Sequence, residues 1–416
     1  MPKPGQTAAT ALVIASMIGT GVFTSLGYQL FDLVSGPQIA LLWAIGGAVA
    51  LCGAFCYAAV AEAHPSSGGE HHFLTVLFHP ALGFMAGLLS AIVGFAAPTA
   101  ASAIALGEYL HASFPDVPVK TTAIAVILLG TLAHAFSPTT SARVQIVATG
   151  IKLALIAAFI SATMFLPGKG DIPWSIQPAR DLAGIWSPAF AVALYFVFYS
   201  YSGWNAAVYG LEEWERPART VRRALVGGTL FVTLLYIALN VSFLLAAPVE
   251  ALKGQNAVGE IAATQLFGKD AGRVVSCLFA IGLFASVSAM LWAGPRVLAA
   301  MGRNVPALRF LTPGGGAPRV PLMIQTALAI LFTLLTGFRE LVVYTQTGLT
   351  LCTLLVAAGV FRLSGKKPIV AAAIFLAFTA FVIVRSVIAE PVAVGAGLAT
   401  ALACALVWFL LPRSSS

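Results

Sequence analysis

Long apolar stretches, each closed by a short polar turn, follow one another along the entire chain. A helix that crosses a hydrocarbon layer of roughly 30 Å needs about 20 such residues. About twelve stretches reach or approach that length, over 8–31, 39–62, 80–108, 121–136, 142–166, 187–211, 220–246, 271–300, 321–336, 341–362, 368–388 and 391–411. The fourth and ninth are the shortest. The turns between them carry proline, glycine and polar residues, as in HPSSGGEHH, FLPGKGDIPW and LTPGGGAPRVP, and none is long enough for a folded domain outside the membrane. The pattern predicts an all-α membrane protein of about twelve spans, with its function inside the helix bundle.

Composition agrees: 59% hydrophobic and 9% charged residues in 416 lie far from the balance of a soluble domain. The net charge of +8 reflects topology, and no nucleic-acid partner is expected. With the N-terminus in the cytoplasm, 14 Lys and Arg fall on the inner side, 8 on the outer side and one within a span. Arg216, Arg219, Arg222 and Arg223 cluster after the sixth span; Arg296, Arg303, Arg309 and Arg319 lie in or beside the connection after the eighth. The positive-inside rule therefore predicts a multi-pass protein of the cell membrane with both termini cytoplasmic. The first apolar run is too long for a signal-peptide core and is expected to remain as a span. All five cysteines fall inside predicted spans, where packing rather than a disulfide framework is their expected role.

Two spans are interrupted where a membrane helix should be most regular. SMIGTGVF places Gly19-Thr20-Gly21 inside the first, and FYSYSGWNAAVYG places Ser200, Ser202, Gly203 and Asn205 past the middle of the sixth. Five spans separate the start of one from the start of the other. An odd number means that the second set enters the membrane from the opposite side, which predicts an inverted repeat: 1–166, then 187–362, with two further spans over 368–416. Paired breaks in inverted halves point to the binding site of a secondary transporter. Amides freed at Gly19-Thr20-Gly21, with the dipole of a half-helix behind them, suit a carboxylate. Carbonyls freed in both breaks suit an ammonium group, so a zwitterion fits between them.

Lys152 is the one basic residue well inside a span, about ten residues in and so roughly 15 Å deep at 1.5 Å per residue. A central lysine costs roughly 2.5–3.5 kcal/mol on insertion, so it is expected to face the protein interior and serve a function. No acidic residue lies in the central third of any predicted span, which favours neutral over cationic substrates. A competing expectation comes from His64, His71, His72 and His79 around Glu70, which would suit a metal-binding or enzymatic membrane protein; no H-E-x-x-H pattern accompanies them. No metal or other cofactor is expected.

These stretches also resemble the amino acid–polyamine–organocation superfamily, in its L-type amino acid transporter-like branch, through at least the first ten spans. SMIGTGVF resembles its first-span Gly-Ser-Gly motif with Thr20 at the serine, PSSGGEHHF its loop before the third span, ARVQIVATGIKL its fifth-span glutamine and lysine, and FYSYSGWNAAVYGLEEWERPART its sixth-span pattern. The resemblance implies a leucine-transporter-type fold with broken first and sixth spans. It also implies a sodium-independent permease or exchanger of amino acids that works by alternating access, with proton coupling open. Ile18, Gly19, Thr20 and Gly21, with Tyr199, Ser200, Ser202 and Gly203, would then bind substrate. Tyr199 would be an aromatic gate, with Trp204 the next candidate, and Ser202 departs from the commoner glycine. The Lys152 ammonium would take the place of a coupling sodium ion, meeting Ser286 and Ser288 of the eighth span. The loop HASFPDVPVK lacks the cysteine that joins family light subunits to a glycoprotein, so no disulfide-linked heavy subunit is expected.

Overall fold

The computed structural model describes residues 3, 5–136, 141–185, 187–312 and 318–411, without the side chains of 136, 141–148, 183 and 304. Among the described residues, seven helices are long and apolar enough to cross a membrane: Gly36–Ala63, Pro80–Ser113, Pro217–Ala246, Lys269–Arg303, Phe338–Arg362, Ile369–Ala389 and Pro391–Leu410. The first span is a broken pair, Gln6–Met17 and Gly21–Gln29, bent by 40°. Four shorter apolar helices, Val119–Phe136, Ser141–Phe165, Pro188–Tyr201 and Arg319–Leu335, bring the spans to twelve.

Helix starts follow local chemistry. Ser35 and Ser187 stand before Pro37 and Pro188, and their hydroxyls accept from the amides of Gln38 at 3.3 Å and Phe190 at 3.1 Å. The third span widens into a π-helical stretch over Ser90–Ala96, and the long eighth helix carries Pro295 in its interior. Such irregularities need neighbouring groups to satisfy the displaced backbone.

The sixth span breaks within the expected stretch Ser200–Asn205, but it does not resume as a helix to residue 211: the helix ends at Tyr201 and only short 3₁₀ turns follow, at Ala206–Val208 and Leu211–Glu213. Gly203 sits at φ +100°, a conformation that stops a right-handed helix, and a Cβ there would lie 2.6 Å from the carbonyl oxygen of Ser16. Glycine is thus required twice over, by conformation and by the close approach of the first span.

The second and seventh spans form the most extensive helix pair, the eighth packs on the third, and the seventh also backs the first half-helix. Large fully buried aromatics, among them Phe23, Trp43, Tyr57, Tyr201 and Tyr236, fill the centre. The last two spans are only 28% and 22% buried, against 56–61% for the other long spans, so they lie at the edge of the bundle. On one side, Lys3 Nζ donates to the Glu212 carbonyl at 2.7 Å and Ser66 Oγ to Glu212 Oε1 at 3.2 Å. The N-terminus, the connection after the second span and the turns after the sixth therefore share one face, here the N-terminal face.

Candidate substrate site at the paired breaks

The first helix ends at Met17, and Ile18, Gly19 and Thr20 form the break before Gly21 starts the next half-helix. A helix start leaves its first amides without acceptors inside the helix. Thr20 stands at the capping position, yet its side chain makes no cap hydrogen bond. Its hydroxyl lies 3.1 Å from the Tyr199 hydroxyl, which joins the two breaks directly.

The two glycines of the break play different parts. A Cβ at Gly21 would stand 2.6 Å from the Cα of Ser200, so this glycine lets the half-helix press against the sixth span. A Cβ at Gly19 would meet nothing closer than the Met17 carbonyl at 3.9 Å. Gly19 is part-exposed, whereas Ile18, Thr20 and Gly21 are buried. Open space thus adjoins the break at Gly19.

Lys152 reaches the break from the fifth span. Its Nζ donates to the Ile18 carbonyl at 3.1 Å and to Ser286 Oγ of the eighth span at 2.8 Å, so one buried ammonium ties three spans together. The side chain of Gln145, the glutamine of the same motif, lies outside the described residues. Ser288 does not join Lys152. Two residues along a helix rotate a side chain by about 200°, and Ser288 Oγ instead lies 2.8 Å from His134 Nε2 of the fourth span.

Many carbonyls freed by the breaks are already engaged. Tyr236 of the seventh span, which the sequence reading did not single out, donates to the carbonyls of Met17 at 2.6 Å and Ser200 at 3.1 Å. Ser200 Oγ donates to the Phe196 carbonyl at 2.7 Å and lies 3.1 Å from Ser25 Oγ. Ser202 Oγ, half-buried, donates to the Phe198 carbonyl at 3.1 Å and to Gln346 Oε1 of the tenth span at 3.2 Å.

Aromatic layers cover the breaks on both sides. Toward the far face, Tyr28 stacks on Phe196 at 5.1 Å and on Phe338 at 6.2 Å, and Tyr199 meets Phe338 edge-on at 6.3 Å. Trp204 lies on the opposite side, edge-on to Tyr57 at 4.8 Å and Phe375 at 6.4 Å. Tyr199 and Trp204 therefore belong to different layers.

Below Trp204, Glu70 is buried and accepts from Tyr57 Oη at 2.8 Å, Asn205 Nδ2 at 2.6 Å and Tyr209 Oη at 2.7 Å. These donors come from the second span and from the turns after the sixth, so the carboxylate binds the helix Gly69–Leu77 to the broken end of the sixth span. This use of Glu70 replaces the metal reading of the loop. His71 Nδ1 lies 2.8 Å from the Gly83 carbonyl, and His79 Nδ1 accepts from the Ala81 amide at 3.1 Å. His72, on the helix Gly69–Leu77, has its pKa lowered from the usual histidine value, mainly by burial. Among the described residues no three His, Cys, Asp or Glu side chains are grouped to hold a metal ion.

The sequence signal for Tyr236 was weak: one hydroxyl in an apolar span. For Glu70 the donors lie at positions 57, 205 and 209, and no local pattern connects them.

Comparison with known proteins gives the same answer as the breaks. The chain is 27% identical to the large neutral amino acids transporter small subunit 2 of Oryctolagus cuniculus over 433 aligned positions, covering 98% of this chain and 79% of that protein. It is 26% identical to the b(0,+)-type amino acid transporter 1 of Mus musculus, covering 82% and 71%, and 25% identical to the Asc-type amino acid transporter 1 of Mus musculus, covering 98% and 80%. The family model for amino acid permeases matches residues 5–413. A twelve-span bundle with paired breaks, matched by that model from end to end, belongs to the amino acid permease family of membrane transporters.

Proposed function

We propose that the protein carries neutral L-amino acids by alternating access, without sodium, as an exchanger or permease whose two halves, 1–166 and 187–362, form an inverted repeat. The observation that carries this reading is the Lys152 bridge between Ile18 in the broken first span and Ser286 in the eighth. A fixed ammonium there supplies a positive charge in contact with both spans, so no sodium ion is needed to hold them. The substrate carboxylate binds the amides of the first turn after Gly19, and the open space beside Gly19 receives the α-carbon. Tyr199 covers the substrate toward the far face, with Phe338 and Tyr28 behind it.

Neutral substrates are favoured because no acidic residue stands at midspan depth, and because one relative is named for large neutral amino acids. The opposite face closes through Trp204 and the Glu70 cluster. Both termini are cytoplasmic, in keeping with the excess of Lys and Arg on the N-terminal face. Transport by the single chain is part of this reading, because the connection HASFPDVPVK after the third span carries no cysteine for a disulfide-linked subunit. Release and rebinding of a proton at Lys152 would couple transport to a pH gradient.

The test is uptake by the purified chain in proteoliposomes, screened over the twenty amino acids with and without sodium, a pH gradient and internal amino acid. Saturable, sodium-indifferent uptake of neutral amino acids is expected. Sodium-stimulated uptake, or no uptake until a second subunit is added, would overturn it.

A further inference from the structure

A groove on the N-terminal face, between the second and seventh spans, takes no part in the site at the breaks. It has a volume of about 580 Å³ and is lined by Arg219, Arg222 and Arg223 at one end and by Phe55, Val226 and Gly227 at the other, with Gln6 beside them. The spacing of three and four residues puts the three arginines, Val226 and Gly227 on one helix face. Among the described residues, no carboxylate lies within 4.0 Å of these three guanidinium groups; the ion pairs found involve Arg180, Arg216, Arg273 and Arg339. Arg223 Nη1 donates to Gln6 Oε1 at 3.0 Å. Glu215 lines an adjoining hollow together with Arg216, Arg219 and Arg223, and its carboxylate lies 4.0 Å from Arg216. Glu212, further back, accepts from Ser66.

The other end of the groove is apolar and open. Phe55 is 37% exposed, and a Cβ at Gly227 would meet nothing within 4 Å. Leu230 and Leu234, three and seven residues further along the same face, are 48% and 63% exposed. Guanidinium groups with no carboxylate within 4.0 Å among the described residues thus lie at the mouth of a groove that continues onto apolar, membrane-depth surface.

We propose that this groove binds an anionic phospholipid, its phosphate on Arg219, Arg222 and Arg223 and one acyl chain along Phe55, Gly227 and Leu230. Guanidinium groups match phosphate with paired hydrogen bonds, and basic clusters at the end of a span attract anionic lipid. Free phosphate would satisfy the arginines but leave the apolar half of the groove unfilled. A phospholipid satisfies both.

The experiment titrates the purified full chain, in neutral detergent, with phosphatidylglycerol or phosphatidylcholine and counts bound lipid by native mass spectrometry. Phosphatidylglycerol should bind and phosphatidylcholine should not. The combined Arg219→Gln, Arg222→Gln and Arg223→Gln variant should lose affinity about fivefold per arginine, or about a hundredfold in all. Gly227→Leu keeps every charge and adds its side chain to open space, so its fold should be preserved while affinity falls about tenfold through loss of the acyl seat. The control Arg303→Gln with Arg309→Gln should bind as the wild type does. Normal binding by Gly227→Leu would mean adsorption by charge alone, and equal loss in the control would mean the same. Displacement of the lipid by millimolar inorganic phosphate would identify a simple anion site. Each of these results would overturn the proposal.

Discussion

Replacing Lys152 by methionine removes the ammonium while keeping most of the side-chain volume. The structure sets the size of the effect. Two hydrogen bonds from a charged donor are lost, to Ile18 and Ser286, each worth about 1.5–3 kcal/mol. Against this, a central lysine costs about 2.5–3.5 kcal/mol to insert, which methionine avoids. The net change in stability is therefore partly offset, between about 0.5 kcal/mol of gain and about 3.5 kcal/mol of loss. Transport has no such compensation, because the link between the first, fifth and eighth spans is gone. Lys152→Met should insert, purify as a single species and unfold within several degrees of the wild type, while amino acid exchange in proteoliposomes falls at least about tenfold, equivalent to 1.4 kcal/mol. Ser286→Ala should act through the same bridge, so adding it to Lys152→Met should cost little more than Lys152→Met alone. Exchange within twofold of wild type in Lys152→Met, at equal protein incorporation, would refute the reasoning.

The two glycines of the first break should separate function from packing. Gly19→Ala, whose Cβ enters open space, should weaken substrate binding about tenfold with little loss of stability, whereas Gly21→Ala, 2.6 Å from the Ser200 Cα, should lower the unfolding temperature first; equal behaviour in thermal-shift and binding assays would contradict this. Tyr199→Ala should raise the apparent KM more than Tyr199→Phe, which keeps the ring against Phe338 and loses only the 3.1 Å contact with Thr20; an equal rise in both variants would make the hydroxyl, not the ring, the gate. Glu70→Gln weakens hydrogen bonds from three donors, each worth about 1.5–3 kcal/mol when the acceptor is charged, and should open the N-terminal face. An impermeant maleimide should then label Ser202→Cys about tenfold faster from that face, and an unchanged rate would remove Glu70 from the closure.

Apolar runs needed only length to be recognised, and apart from the sixth their limits fall within a few residues of the helices. The first break was legible because glycines flanking a threonine at midspan are matched by a second break in the sixth span, and Lys152 because a lone charge at that depth must find partners. What failed is instructive. Hydropathy continues through Ala206, Ala207 and Val208, which carries the sixth span past its break to residue 211; Gly203 at positive φ and the 3₁₀ turns after it leave no helix there, and hydropathy does not report backbone sign. Ser286 and Ser288 look equivalent in sequence, but helical rotation gives one to Lys152 and the other to His134. Gly19 and Gly21 likewise look alike until the position of Ser200 is known.

The residues that were not legible share a physical reason. Tyr236 and Glu70 act by gathering partners from distant spans, and a hydroxyl or carboxylate carries no local mark of what it will meet. Yet both stand where an alternating-access cycle needs a switch. Tyr236 holds the Met17 and Ser200 carbonyls with one hydroxyl, so the first half-helix cannot swing from the sixth span without breaking at least one bond near the break. Glu70 holds the opposite end of the same sixth-span break to the helix Gly69–Leu77. Opening the N-terminal face then requires both sets to release. Each bond is modest in net terms when water replaces the partner, about 0.5–1.5 kcal/mol for the neutral Tyr236 hydroxyl and about 1.5–3 kcal/mol for each donor to the Glu70 carboxylate. Water entering a cleft supplies that replacement, which makes a closure built from hydroxyl and carboxylate groups reversible where an apolar seal of similar area would not be.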